Sequence, residues 1–112
     1  AIFQPHLFSR TRDFFKEFAN VLQLADFVIL SDIYPAREKP IPNITTKIIY
    51  DELYKIMKDN CILLSNLDEL NKVIFGILKS GDMVLTMGAG SIWRYSDLFY
   101  QDLVKFYNKS KN

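Results

Sequence analysis

The sequence predicts an α/β fold in which helices cover both faces of a mostly parallel sheet. Short apolar runs recur along the chain, and longer amphipathic patterns with helical spacing separate them, which is typical of repeated strand-helix units. The runs are nearly continuous in apolar residues, as expected for strands that are buried on both faces. The predicted strands cover residues 1–4, 27–30, 61–64 and 83–87.

The helices are predicted from apolar residues that repeat every three or four positions. Ser9 or Thr11 would be the N-cap of the first helix, because both side chains can accept a hydrogen bond from a free backbone N–H. Asn66 and Glu69 have capping-box spacing at the start of the third helix. The predicted helices cover residues 10–23, 47–58, 66–80 and a segment within 92–107.

The length and composition indicate one folded domain. The chain has 112 residues, of which 49% are apolar and 14% aromatic. Such a composition excludes a disordered chain, because disordered chains lack the apolar surface that offsets ordering entropy. A chain of this length suits one hydrophobic core. We therefore predict a single domain over residues 1–112.

The charge pattern excludes a nucleic-acid partner. The chain has 14 Lys and Arg against 13 Asp and Glu, a net charge of +1. Nucleic-acid binding normally needs a concentrated basic face, which this balance does not provide. The basic residues near the C-terminus are interpreted as a solvated tail. They are Lys105, Lys109 and Lys111.

The cysteine and histidine counts argue against disulfides and metal sites. Cys61 is the only cysteine and lies in an apolar run, so we expect a buried core residue. His6 is the only histidine, so no His/Cys cluster can bind a metal within this chain. No apolar run approaches the ~20 residues of a membrane span, and no signal-peptide pattern is present. We expect a soluble, cytoplasmic protein without a membrane partner.

Three polar segments follow predicted strands, so the fold would bring them to one edge of the sheet, where open α/β sheets bind ligands. The first contains His6 and Arg10 beside a helix N-terminus, which favours an anion. The planar guanidinium of Arg10 suits a carboxylate or a phosphate. The alternative is that Arg10 forms a structural ion pair with Asp13 or Asp32. The segments cover residues 4–11, 32–38 and 88–93.

The other two segments are less specific. The second lies in a proline-rich loop over residues 31–43, and its carboxylates, Asp32 and Glu38, could serve acid or base chemistry but resemble ordinary surface charges. The third contains Gly88 and Gly90 but lacks the last glycine of the dinucleotide fingerprint. A tight strand-to-helix turn is therefore favoured over a phosphate cradle.

The three segments, in this order, resemble the C-terminal domain of the Mur ligases, in particular of those that join L-alanine to UDP-N-acetylmuramate in peptidoglycan synthesis. The similarity extends over essentially the whole chain. The first motif is the most specific, because a string of that length rarely recurs by chance. The motifs are Phe3-Gln4-Pro5-His6 with Ser9-Arg10-Thr11, Asp32-Ile33-Tyr34-Pro35-Ala36 with Glu38-Lys39-Pro40-Ile41, and Met87-Gly88-Ala89-Gly90.

The resemblance implies a Rossmann-like sheet and a role as the C-terminal fragment of a three-domain ligase. Such an enzyme uses ATP and Mg²⁺, held mainly by its central domain, and binds UDP-N-acetylmuramate and L-alanine. This chain would bind the amino acid and close over the N-terminal and central domains, and alone it would be inactive. Two alternatives stay open: the related ligase that recycles peptides onto UDP-muramic acid, and a noncatalytic module that binds small anions.

The resemblance also implies the site residues. Arg10 would hold the carboxylate of the amino acid, with His6 beside it. No catalytic residue and no metal ligand is implied in this chain. The implied substrate-binding residues are Arg10, His6, Ser9, Thr11, Tyr34, Arg37 and Glu38, and the residues implied at the nucleotide cleft are Asp32, Gly88 and Gly90.

The chain departs from the family pattern in three places. Leu7 and Phe8 replace common Arg and Tyr residues, and Asn43 replaces a glycine. The upstream aspartate and histidine motif is absent, so we expect the first strand-helix unit to be missing as well. A free sheet edge would then favour self-association.

Overall fold

Strands and helices alternate along the chain. The computed structural model describes residues 1–111, and the side chains of residues 1–109. The strands are β1 (Ile2–Phe3), β2 (Val28–Ser31), β3 (Cys61–Leu64) and β4 (Thr86–Met87), and the α-helices are α1 (Phe8–Leu22), α2 (Lys47–Met57), α3 (Leu70–Ile77) and α4 (Ile92–Lys111). Short 3-10 turns, Lys58–Asn60 and Leu67–Glu69, precede β3 and α3.

The strands form one parallel sheet in the order β3-β2-β1-β4, with helices on both faces. In β2, Val28 and Leu30 pack against α1 and α2, whereas Ile29 between them packs against α3 and α4. Side chains alternate between the faces of a strand, so this near-continuous apolar run supplies two cores. The predicted α/β class is confirmed.

The start of α3 differs from the prediction. The Asn66 side chain accepts a hydrogen bond from the Asp68 N–H (3.0 Å), so it caps a 3-10 turn rather than forming a capping box with Glu69. The predicted helix over residues 66–80 therefore begins as 3-10 and ends at Ile77. Its limits shifted because local side-chain bonds compete with helical ones.

The C-terminal part of the chain is a longer helix than the spacing predicted. Helix α4 continues to Lys111, whose side chain lies outside the described residues, while Lys105 and Lys109 are exposed. One stripe of α4 is also exposed and apolar, with Trp93, Tyr100 and Val104 at helical spacing. Among the described residues, strand β4 pairs only with β1 and lies at one edge of the sheet. None of the described helices combines the length and apolar character that crossing a membrane requires.

Cys61 is a core residue, as predicted. It is buried in β3 on the face covered by α1 and α2. Burial raises the pKa of its thiol, with a smaller contribution from the charge of Asp59. The thiol is therefore held in its protonated, unreactive form.

A buried amide connects β1 to α4. Gln4 is 5% exposed; its Oε1 accepts a hydrogen bond from the Ile92 N–H (3.1 Å) and its Nε2 donates to the Ser91 hydroxyl (3.2 Å). Gly90 makes room for this contact, because a Cβ there would overlap the Tyr34 ring and lie 2.8 Å from Gln4 Oε1. The glycine-rich segment is therefore a close-packed turn, as the pattern favoured.

Replacing Gly90 tests this packing. We expect Gly90→Ala to lower the free energy of unfolding by about 1–3 kcal/mol, because the methyl group overpacks the turn. Gly76→Ala is the matched control, because no atom outside its chain neighbours and the nearby backbone of α3 lies within 4 Å of the new Cβ. Alanine also stabilises a helix by about 0.5–1 kcal/mol relative to glycine. Urea denaturation measures both, and equal effects would contradict the packing argument.

Lys58 offers a second stability test, because it ends α2 with a φ of 54° and a ψ of −123°. Side chains strain this backbone region, so Lys58→Gly should raise stability by about 1 kcal/mol and the melting temperature by roughly 4 °C. Lys58→Ala also removes the contact of the ammonium with the Tyr54 ring (5.5 Å) but keeps the strain. A glycine variant no more stable than the alanine variant would contradict the prediction.

Candidate functional site

The first two predicted segments meet where β1 and β2 end, at the carboxyl edge of the sheet. An isolated parallel bridge joins His6 to Tyr34 beyond the strands. Tyr34 donates its N–H to Pro5 O (2.8 Å), and its own O accepts from the Leu7 N–H (3.0 Å). The His6 and Tyr34 rings stack with centroids 6.2 Å apart. The third segment joins them, because Tyr34 also packs over Gly90.

The side chain of the N-cap residue of α1 forms no hydrogen bond with the helix. That residue is Leu7, which has no polar side-chain atom and a φ of 70°. The predicted caps, Ser9 and Thr11, are wrong, because both lie inside the helix. Thr11 is fully buried and donates its hydroxyl to Leu7 O (2.9 Å), so its side chain cannot reach a ligand. It fixes the turn that precedes the helix.

Glu38 closes the N-terminus of α1 from the proline-rich loop. Its Oε1 accepts a hydrogen bond from the Ser9 N–H (2.9 Å), and its Oε2 accepts one from the Ser9 hydroxyl. The pKa of Glu38 is lowered, mainly by the hydrogen bond from the Ser9 hydroxyl. Hydrogen bonds from the Ser9 and Phe8 N–H groups and the positive charge of Arg12 lower this pKa further, whereas desolvation raises it. We call this arrangement the Glu38 cap. The anion at the start of α1 is therefore a side chain of this protein.

The two arginines next to the Glu38 cap are unpaired. Within the described residues, neither Arg10 nor Arg37 forms an ion pair or a hydrogen bond. The alternative that Arg10 pairs with Asp13 or Asp32 is wrong. Asp13 pairs with Arg12 (2.8 Å), and Asp32 forms no ion pair with Arg10 among the described residues. Arg10 is exposed, so its guanidinium can bind a ligand carboxylate.

A tight turn presents Arg37. Glu38 donates its N–H to Pro35 O (2.9 Å), and Ala36 within the turn has a φ of 54°. Arg37 lies in this turn and is exposed. Asp32, directly after β2, is also exposed, and its carboxylate has no hydrogen-bond partner among the described residues. The loop thus offers the cations of Arg37 and Lys39 and the anion of Asp32 to a ligand.

The described residues offer no cluster of ligands for Mg²⁺, and the start of α4 is partly occupied by the protein itself. Gln4 occupies the Ile92 N–H at the start of α4, and Gln4 and Tyr34 cover Gly90. No group of three or more His, Cys, Asp or Glu side chains among the described residues could hold a metal ion. One N–H at the start of α4, that of Ile92, is already bonded within the domain and is therefore not open to a phosphate.

Gln4 lies in the first motif but is not among the predicted site residues. A signal was present, because a glutamine at the end of a predicted buried strand must find hydrogen-bond partners inside the protein. Its partners lie 87 and 88 residues away, which the spacing of residues could not show.

Comparisons with known proteins identify the family of the chain. No family model matches the chain. The UDP-N-acetylmuramate–L-alanine ligase of Phocaeicola vulgatus is 52% identical over 96 residues, which are 85% of this chain and 20% of that protein. The ligases of the same name from Paenarthrobacter aurescens and Geobacter sulfurreducens are 46% and 39% identical, over 91% and 90% of the chain and 21% and 22% of their own lengths.

The chain spans about a fifth of the length of these curated relatives. These identities extend over most of the chain. The chain therefore belongs to the family of the UDP-N-acetylmuramate–L-alanine ligases and corresponds to the C-terminal domain of a Mur ligase.

Proposed function

We propose that this chain binds the incoming amino acid and closes the active site of an ATP-dependent ligase that joins L-alanine to UDP-N-acetylmuramate. The relatives named above support the reaction and its substrates. The observation that carries the role of this chain is the unpaired, exposed guanidinium of Arg10 at the start of α1. Peptidoglycan synthesis would be the process that it serves.

Arg10 would hold the carboxylate of L-alanine. A guanidinium binds a carboxylate through two parallel N–H···O bonds, so it fixes both the position and the orientation of the amino acid. The amine nitrogen would then face the muramate carboxyl carbon, activated by ATP as an acyl phosphate. It would attack that carbon and lose a proton as the bond to phosphate breaks and inorganic phosphate leaves. Positioning of this kind supplies several kcal/mol of a two-substrate reaction barrier.

The neighbouring side chains would shape the same position. The stacked rings of His6 and Tyr34 form one wall, and Arg37 brings a second cation. Ser9 would act through the Glu38 cap rather than by touching the substrate, because its hydroxyl is engaged there. Thr11 would not touch the substrate, because its side chain is fully buried and bonded to Leu7 O.

The nucleotide cleft would lie along the same edge. Asp32 has a free carboxylate that can accept hydrogen bonds, and Gly88 and Gly90 keep the backbone close to the sheet. The phosphates and Mg²⁺ would be held mainly by the central domain, since the described residues offer no metal cluster. Residues 1–112 would thus be one domain that works only with the N-terminal and central domains, in the cytoplasm.

Arg10→Ala tests the proposal in a ligase in which this chain replaces the matching segment of the Phocaeicola vulgatus relative. Phosphate release with ATP, Mg²⁺ and UDP-N-acetylmuramate should require L-alanine. Arg10→Ala should raise the KM for L-alanine by about 10- to 100-fold, the value of one charge-assisted contact of ~1.5–3 kcal/mol. The control is Arg12→Ala, which removes an exposed arginine of the same helix that pairs with Asp13.

The outcomes separate the alternatives. Release that requires a peptide rather than L-alanine would indicate the recycling ligase. No release with either substrate, together with binding of small anions by the 112-residue chain, would support the noncatalytic module. An unchanged KM in Arg10→Ala would contradict the role of Arg10 alone.

A further inference from the structure

Glu38 is charged and lies beside the proposed amino-acid position, yet both its oxygens are engaged by Ser9. We propose that Glu38 is a positioning residue whose cap holds Arg10 and Arg37 on either side of one anion position, where both bind the carboxylate of the amino acid. This inference rests on the proposed function. It assigns Glu38 a role other than contact with the substrate.

The chain order places both arginines at the Glu38 cap. Arg10 directly follows Ser9 and Arg37 directly precedes Glu38, so the bonds between Ser9 and Glu38 bring together the backbones that carry the two guanidiniums. These bonds span 29 positions of sequence. The bonds from the Tyr34 and Leu7 N–H groups already join the two segments, and the Glu38 cap joins them again at the residues next to Arg10 and Arg37. Two unpaired cations held this way suit one ligand with a single negative charge.

The Glu38 cap also determines which groups can take the ligand. The N–H groups at the start of α1 already face the carboxylate of Glu38, and a second anion there would meet its negative charge. A substrate carboxylate is therefore directed to the guanidiniums. A planar guanidinium selects the orientation of a bound carboxylate better than a helix terminus does, because it binds both carboxylate oxygens at once.

The backbone around the cap is held in uncommon conformations. Leu7, before Ser9, has a φ of 70°, and Ala36, before Arg37, has a φ of 54°. Residues with a Cβ stay in such conformations only when surrounding contacts fix them. The Glu38 cap is one of these contacts, and the bond from the Thr11 hydroxyl to Leu7 O is another. Loss of the cap should therefore move Arg10 and Arg37 rather than unfold the domain.

Two variants of Glu38 test this in the ligase described above. Glu38→Ala should raise the KM for L-alanine about 10-fold and change kcat less than about 3-fold, because small misplacement of a binding group weakens orientation. Glu38→Gln should have a smaller effect, since its amide oxygen can still accept the Ser9 N–H. The control is Glu17→Ala, an exposed glutamate of α1 without a hydrogen bond or ion pair among the described residues.

Adding Glu38→Ala to a variant that lacks both arginines distinguishes positioning from a general structural role. In an Arg10→Ala, Arg37→Ala background, Glu38→Ala should raise the KM no further, because the residues through which it acts are gone. A further 10-fold rise in that background, or an unchanged KM in Glu38→Ala alone, would overturn the proposal for Glu38 while the proposed function stands. An unmodified ligase that releases no phosphate with L-alanine would overturn both.

The Glu38 cap itself can be observed in the 112-residue chain by NMR. The pKa of Glu38 is lowered in the folded chain, so the cap is intact at neutral pH and is lost as the pH falls through that lowered value. The Ser9 amide resonance should shift in that range, below the ordinary glutamate value of about 4.3. The shift should be absent in Glu38→Gln and kept in Glu17→Ala. A Ser9 resonance insensitive to Glu38 would overturn the proposal whatever the kinetics show.

Discussion

The free N–H groups at the starts of α1 and α4 are the constraint on which the carboxyl edge depends. Both helices begin beside the sheet, where unpaired N–H groups are costly. At each start, one of these N–H groups bonds to a side chain from a distant element: the Ser9 N–H to Glu38 and the Ile92 N–H to Gln4. These two contacts also tie the proline-rich loop to α1 and β1 to α4, so one requirement of the backbone sets the geometry of the whole edge.

The same contacts explain how this sheet differs from a nucleotide-binding one. The strand order β3-β2-β1-β4 has a topological switch point between β1 and β4, where successive connections leave β1 toward opposite edges of the sheet. Open α/β sheets usually bind ligands at such a point, with phosphates on a helix N-terminus. Here the Gln4 amide fills that position and Gly90 packs beneath Tyr34. In the proposed function, ligand binding therefore falls to side chains, and the guanidiniums of Arg10 and Arg37, unpaired among the described residues, lie next to the Glu38 cap.

The sequence predicted the strand-helix order and the three segments of the edge, because apolar periodicity and strand ends are local features. It could not predict the Glu38 cap, because a carboxylate 29 positions away leaves no trace in the spacing around Ser9. Ser9 and Thr11 looked like caps for the same reason: local rules place the N-cap inside the motif, whereas Leu7 with its positive φ starts the helix. Long-range polar contacts are what the sequence analysis missed.

The unpaired state of Arg10 follows from a balance of two energies. An exposed ion pair with Asp13 or Asp32 would add only about 0–1 kcal/mol to stability. In the proposed function, the same guanidinium gains ~1.5–3 kcal/mol from a substrate carboxylate, and a competing aspartate would reduce that gain. Asp13 instead pairs with Arg12, on the exposed surface of α1. Holding the backbone of Arg10 by the cap while leaving its side chain free therefore costs little stability and preserves affinity for the ligand.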